Sequence, residues 1–142
     1  MIKVGVALPV TINDAGEFLA DVRALEAAGA AMIALPGDGY EQAILMGAIA
    51  AVTERVLLRV ADPRSAGILQ KLSRGRVLDQ LSAGETWIEI SMPPDRESWT
   101  KTLLDQEASG VHGVIVPWDP RLIDLLRNPE GDDRSDLLMS TG

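Results

Sequence analysis

The chain lacks cysteine altogether and contains a single histidine, His112, among 142 residues. The absence of cysteine excludes disulfides, a thiolate nucleophile, iron–sulfur ligation and cysteine-ligated zinc. One histidine also excludes a metal centre built from several imidazoles. His112 comes at the amino end of an apolar strand pattern, whereas sites in parallel β/α folds lie at the carboxyl ends of the strands. We therefore expect a structural or solvent-exposed role for it.

Long apolar runs and an excess of basic residues are missing as well. No run approaches the roughly 18 apolar residues of a membrane span, and residues 1–6 begin a strand pattern in place of a signal peptide. We expect a cytoplasmic protein without membrane contact. The 13 basic residues are outnumbered by 21 acidic ones, which gives a net charge of −8. That charge repels a phosphate backbone, so nucleic acid is not an expected partner.

The composition that remains is typical of a folded globular chain, with 46% hydrophobic and 24% charged residues. Strand patterns alternate with helical periodicities along residues 1–127, which we treat as a single α/β domain. The strands are predicted at 2–9, 31–36, 56–61, 86–92 and 111–116, and the helices at 14–29, 41–52, 66–81, 95–108 and 120–127.

Five consecutive β/α units require right-handed crossovers and a mainly parallel sheet covered by helices. The architecture is then either a partial TIM-like barrel or an open flavodoxin-like sheet. Residues 128–142 differ in character, since they contain four acidic residues, one arginine, and turn-forming glycine and proline. They predict an acidic, mobile C-terminal tail.

Strand parity places polar side chains on the interior face of the sheet. Arg59 and Glu89 share that face with Gly5 and Ala7, because alternate residues of a strand point the same way. A charge on a mostly apolar strand needs a partner when it is shielded from water. We therefore expect an Arg59–Glu89 ion pair between neighbouring strands, with a strong coupling only if the pair is desolvated. The alternative is that Arg59 receives an anionic group of a ligand.

Four aspartates follow predicted strands at the carboxyl edge, namely Asp38, Asp62, Asp95 and Asp119. Converging carboxylates can bind Mg²⁺, but aspartate before a helix also caps the first backbone N–H groups. Asp62, Asp95 and Asp119 each precede a predicted helix. We favour capping, and no metal site is expected.

Three strings of the chain carry a resemblance to a known family. They are KVGVALP at 3–9 with LEAAG at 25–29, GAIAAVTERVLL at 47–58, and LDQLSAG at 78–84. In this order they resemble the luciferase-like flavin- or deazaflavin-dependent monooxygenases, which are built on a (β/α)₈ barrel. The resemblance covers about five of the eight barrel units. Glu85 departs from it, since the family pattern has arginine at that position.

The resemblance implies a shortened oxidoreductase or monooxygenase that holds FMN or a deazaflavin at the carboxyl ends of its strands. Under it, the candidate cofactor-binding residues are Gly5, Ala7, Pro36, Arg59, Ser91 and Trp118. The alternative is a non-catalytic binding or accessory protein on the same scaffold. Because five strands cannot close a barrel, we expect a homo-oligomer that covers the open sheet edges. A full-length relative or a flavin reductase is the other partner considered.

Overall fold

A computed structural model of the chain describes residues 2–9, 11–37, 39–60, 63–78 and 84–128. These residues form six strands and five helices. In chain order they are β1 (Lys3–Ala7), α1 (Ala15–Ala28), β2 (Met32–Ala34), α2 (Tyr40–Val52), β3 (Leu57–Arg59), α3 (Pro63–Leu72), β4 (Val77–Leu78), β5 (Trp87–Glu89), α4 (Arg96–Ala108), β6 (Gly113–Pro117) and α5 (Leu122–Arg127). Within the described ranges, none of these helices has the length and apolar character needed to cross a membrane.

The six strands form one parallel sheet in the order β4-β3-β2-β1-β6-β5. From β1 to β4, each new strand is added on the same side of the one before it. The connection from β5 to β6 moves along the sheet in that same direction. Right-handed crossovers that all step the same way leave their helices on one face. The sheet curls away from that face into a half-barrel. The predicted α/β class and partial-barrel architecture are confirmed.

The helix-covered face of the sheet contains the main core. Val6, Ile33 and Leu58 are fully buried there against Leu25 of α1 and Ile49 of α2. The opposite face, which we call the open face, holds a smaller cluster of Met32, Ala34 and Ile115 with Ala7, Leu57, Leu78 and Trp87 packed against it. No helix residue belongs to this second cluster within the described part of the chain. The parity prediction for the two faces is therefore confirmed.

Aspartates cap two of the helices, α1 and α4, as the sequence predicts. Asp14 accepts a hydrogen bond from the Glu17 N–H at 3.0 Å, and Asp95 accepts one from the Ser98 N–H at 2.7 Å. Asp119 accepts from the backbone N–H of Arg121 at 2.9 Å, just before α5. Asp38 and Asp62 lie outside the described residues. Asp14 and Asp95 are thus helix caps. The capping prediction is wrong for Asp119, because its partner Arg121 lies before α5 and no side chain in the described ranges caps that helix.

The predicted helix at 66–81 is wrong at its carboxyl end. Helix α3 stops at Leu72, and the chain then turns through Arg74 with φ 58° and Gly75 with φ 87°. A left-handed residue pair of this kind ends a helix. The chain continues as β4, a two-residue strand beside β3 that the sequence patterns did not reveal. The predicted tail at 128–142 lies outside the described residues, apart from Asn128.

Glu26 of α1 fixes the amino end of β3. Its carboxylate accepts three backbone N–H groups, those of Glu54, Arg55 and Val56, at 2.7 to 3.1 Å. Burial alone would raise the pKa of Glu26, but the hydrogen bonds from these three N–H groups together outweigh it. The pKa of Glu26 therefore lies below its ordinary value of 4.5.

The Glu26→Gln variant is expected to lose less stability in acid than the wild type does. A carboxyl group whose pKa is lower in the folded chain stabilises the fold above its unfolded pKa, and this contribution is lost as the pH falls through the folded pKa. The measurement is urea unfolding of both proteins at pH 7 and at steps below 4.5. The gap between the two free energies of unfolding should narrow as the pH falls. A gap that stays constant over that range would contradict the assigned role of the Glu26 carboxylate.

Candidate functional site

A cleft of about 660 Å³ opens at the carboxyl ends of the strands, on the open face. The ends of β1, β2, β3, β5 and β6 supply its lining residues, which are Ala7, Leu8, Pro9, Ala34, Leu35, Pro36, Gly37, Arg59, Val60, Glu89, Ile115, Pro117 and Trp118. All of them except Arg59 and Glu89 are apolar residues, glycine or proline. Over the described residues, the cleft is thus an apolar cavity with one cation and one anion at its wall.

Small side chains give the cleft its depth. Ala7, Ala34, Arg59 and Pro117 form one row across the sheet, because Ala7 pairs in register with Ala34 and Pro117, and Ala34 pairs with Arg59. The two alanines place methyl groups where longer side chains would fill the space. The backbone is firm here, since the Trp118 N–H donates to the Ala7 carbonyl oxygen at 2.9 Å.

The structure brings four of the six predicted site residues to this cleft: Ala7, Pro36, Arg59 and Trp118. Gly5 lies one row nearer the amino ends, and a Cβ on it would be only 2.9 Å from the Met32 Cε and 3.3 Å from the Trp87 ring. Neighbouring side chains therefore cover Gly5. Ser91 follows β5 and is exposed, but it does not line the cleft.

Arg59 and Glu89 form the expected ion pair, with Arg59 Nη1 3.6 Å from Glu89 Oε1. The prediction that the pair joins neighbouring strands is wrong. Three strands, β2, β1 and β6, separate β3 from β5, so the pair does not join neighbouring strands. Nor is the pair desolvated, since the two side chains are 48% and 78% exposed. The two side chains nevertheless meet, because the sheet curls and brings β3 and β5 towards each other across its open side.

The Arg59–Glu89 pair spans the open side of the cleft. Four strand-to-strand steps separate β3 from β5, which is half the circumference of an eight-stranded barrel. Arg59 and Glu89 therefore reach towards each other across the barrel interior, and both line the cleft. At 3.6 Å the contact is longer than a hydrogen bond, and exposed ion pairs contribute only about 0 to 1 kcal/mol. It is a weak bridge over the side of the cleft that no described strand closes.

Gln42 supports the cleft wall from behind, and the sequence analysis missed it. Its side chain is 4% exposed and donates from Nε2 to the carbonyl oxygen of Leu35 at 2.6 Å. Leu35 lines the cleft, so this bond holds the chain between β2 and α2. A signal was present, because Gln42 is the one polar residue on the buried stripe that continues through Met46, Ile49 and Ala50.

A smaller cavity of about 200 Å³ lies on the other side of Trp118. Its wall contains the carboxylates of Asp14, Glu17 and Asp21, and Asp14 is already engaged as the cap of α1. Over the described ranges, no group of three or more acidic, histidine or cysteine side chains has an arrangement that could hold a metal ion.

His112 and Glu85 lie at the opposite, amino end of the strands. His112 Nδ1 accepts a hydrogen bond from the Thr86 N–H at 2.9 Å, so the predicted structural role is confirmed. Glu85 accepts hydrogen bonds from Lys3 Nζ at 2.7 Å and Trp87 Nε1 at 3.1 Å. These bonds, that of Lys3 first, hold the pKa of Glu85 below its ordinary range. Glu85, which departs from the luciferase-like pattern, thus ties β1 to β5 away from the cleft.

Comparison of the chain with models of protein families, with curated proteins and with solved structures finds no match. The luciferase-like resemblance therefore stays a prediction based on the three strings quoted above.

Proposed function

We propose that this chain binds a small molecule with a planar apolar body and one anionic group, and that FMN or a deazaflavin is the ligand to test first. The observation that carries the proposal is the cleft itself. Its volume of about 660 Å³ falls within the range of roughly 300 to 1,000 Å³ that ligand pockets in proteins have. Apolar walls with a few polar groups are also typical of such pockets.

The residues of the cleft fit the two parts of such a ligand. Ala7 and Ala34 offer a flat surface of small side chains, and Trp118 supplies an aromatic ring at the rim. Arg59 presents a planar guanidinium that can bind a carboxylate or phosphate through two parallel hydrogen bonds. The ring of a flavin would lie on the alanines, and its phosphate would face Arg59.

The cleft favours binding over acid–base catalysis by the protein. Among the lining residues in the described part of the chain, only Arg59 and Glu89 have ionisable side chains, and they face each other. His112 lies at the far end of β6. A bound flavin would supply electron or hydride transfer by its own chemistry. Oxidoreduction is thus a proposal that depends on the cofactor, and a non-catalytic binding protein is the alternative.

The Arg59→Gln variant is expected to bind FMN ten- to a hundredfold more weakly than the wild type, because charge-assisted hydrogen bonds contribute about 1.5 to 3 kcal/mol. Riboflavin has the same ring without the phosphate, so its affinity should not change. The measurement is a fluorescence titration of purified protein with FMN, FAD, a deazaflavin and riboflavin.

Arg23→Gln provides the control, because Arg23 is an exposed arginine on α1 and its substitution removes the same charge. It should bind FMN as the wild type does. Absence of saturable binding to the folded wild type would overturn the proposed function. Binding that Arg59→Gln leaves unchanged would place the ligand elsewhere.

The outer surface favours a second candidate function, that of a homo-oligomeric scaffold. Tyr40 and Ile44 of α2, and Ile68 and Leu72 of α3, are exposed at four-residue spacing on two helices that contact each other. Exposed apolar clusters of this kind are typical of protein interfaces. We propose that a second copy covers such surfaces. Light scattering on the titrated sample tests this, because a monomer would have a mass of 15.2 kDa.

A further inference from the structure

We propose that Glu89 acts as an internal competitor for the anion-binding face of Arg59, so that an anionic ligand must displace Glu89 before it can bind. This inference rests on the proposed function and adds a residue that controls both affinity and charge selectivity. It starts from one observation: among the lining residues that the structure describes, Glu89 is the only carboxylate and Arg59 the only guanidinium, and the two face each other.

The position of Glu89 explains why it competes with a ligand. Arg59 and Glu89 project from opposite sides of the curled sheet and meet over the cleft that both of them line. An anion bound through Nη1 of Arg59 would occupy the space where Oε1 of Glu89 now lies. Like charges at such a distance repel, so the anion and the Glu89 carboxylate cannot both remain there.

The contact is also weak enough for a ligand to displace it. The 3.6 Å separation is longer than a hydrogen bond, and both side chains are well exposed to water. A bidentate phosphate or carboxylate forms shorter, charge-assisted hydrogen bonds to a guanidinium. When an anion binds, Arg59 therefore loses its weak contact with Glu89 and gains shorter hydrogen bonds to the anion. A neutral ligand gains nothing from this exchange.

The main strands do not depend on this ion pair. In each strand the neighbouring residue, Leu58 in β3 and Ile88 in β5, packs into the core on the covered face. Glu89 itself contributes a mostly exposed side chain on the other face. Glu89→Gln should consequently fold as the wild type does, which makes its ligand affinity interpretable.

The experiment compares the wild type with Glu89→Gln in titrations with FMN and with riboflavin, at low ionic strength. Glu89→Gln should bind FMN about fivefold more tightly, the factor that corresponds to removing an exposed ion pair of about 1 kcal/mol. Riboflavin affinity should stay the same in both proteins. The gain for FMN should shrink at high salt, because salt screens exposed charges.

Glu54→Gln is the matched control, since Glu54 is an exposed carboxylate just before the opposite end of β3. It lowers the net negative charge equally but lies far from the cleft, so its FMN affinity should match the wild type. If the wild type binds FMN through Arg59 but Glu89→Gln binds it no more tightly, the competitor role is overturned and the proposed function survives. If none of the folded proteins binds FMN, both are overturned. An equal gain for riboflavin would also overturn the competitor role, because the effect would not depend on the anion.

Discussion

Arg76→Met is expected to lower the free energy of unfolding by about 3 kcal/mol, because one guanidinium satisfies several backbone carbonyl groups at once. Arg76 donates to the carbonyl oxygens of Ala50, Thr53, Val56 and Ser73 at 2.7 to 3.0 Å, and to Thr53 Oγ1 at 2.9 Å. Ala50 lies in the last turn of α2, Thr53 is the C-cap of that helix, and Val56 directly precedes β3. Methionine keeps the aliphatic stem and removes all five hydrogen bonds. Urea unfolding of the two proteins at neutral pH measures the difference.

Two further variants separate this network from the loss of a charge. Arg23→Met removes an exposed arginine on α1 and should change stability by less than about 0.5 kcal/mol. Arg76→Lys keeps the charge but lacks the planar fork of donors, so it should recover only a small part of the loss. Equal stability of Arg76→Met and Arg23→Met would show that the five hydrogen bonds contribute nothing net.

The hydrogen bonds around Arg76 and Glu26 indicate a structural role for two of the luciferase-like strings. Glu26 belongs to the string at 25–29 and Thr53 to the string at 47–58, and both stabilise the amino end of β3. In β/α barrels the amino ends of the strands serve stability, whereas sites lie at the carboxyl ends. The strings at 25–29 and 47–58 thus contribute to joining α2 to β3. The string at 3–9 supplies Ala7, Leu8 and Pro9 to the cleft, and residues 79–83 of the third string lie outside the described residues.

Local patterns were sufficient for most elements but not for β4. Apolar periodicity and the Asp14 cap define α1, and the strand pattern at 2–9 contains β1. By contrast, β4 has two residues, and its partner β3 provides the hydrogen bonds that make it a strand. A pattern needs several residues to show a period, so two-residue strands escape it. Gly75 was the available sign that α3 ends early, since its left-handed φ breaks a helix.

In the candidate site as well, properties of a single strand could be predicted from the sequence, whereas properties of the whole sheet could not. Parity correctly placed Arg59 and Glu89 on one face, because side-chain alternation is a property of each strand by itself. Strand order is a property of the whole sheet, and the prediction of neighbouring strands failed for that reason. The exposure of the pair follows from curvature, which no single strand encodes. Gln42 could have been found locally, as a polar residue on an apolar helix face.

Gly113→Ala is expected to lower the free energy of unfolding by about 2 kcal/mol, as overpacking of a filled space does. A Cβ at Gly113 would stand 2.4 Å from Trp87 Cε3 and 2.5 Å from Cζ3, far inside van der Waals contact. The indole cannot yield cheaply, because its Nε1 donates to Glu85 and its ring also lies 3.3 Å from the Cβ position of Gly5. Trp87 therefore has to leave the sheet surface when Gly113 gains a methyl group. Urea unfolding measures the cost.

Gly47→Ala is the control with the opposite expectation. The nearest atom to a Cβ at Gly47 is Leu72 Cδ1 at 4.0 Å, so alanine fits there and should stabilise α2 by about 0.5 to 1 kcal/mol. A Trp87→Leu background provides the second test, since a smaller side chain leaves room for the methyl group. Gly113→Ala should cost clearly less in that background than in the wild type. An equal cost in both would mean that the strain does not come from the indole, and that Trp87 does not fill the open face beside Gly113.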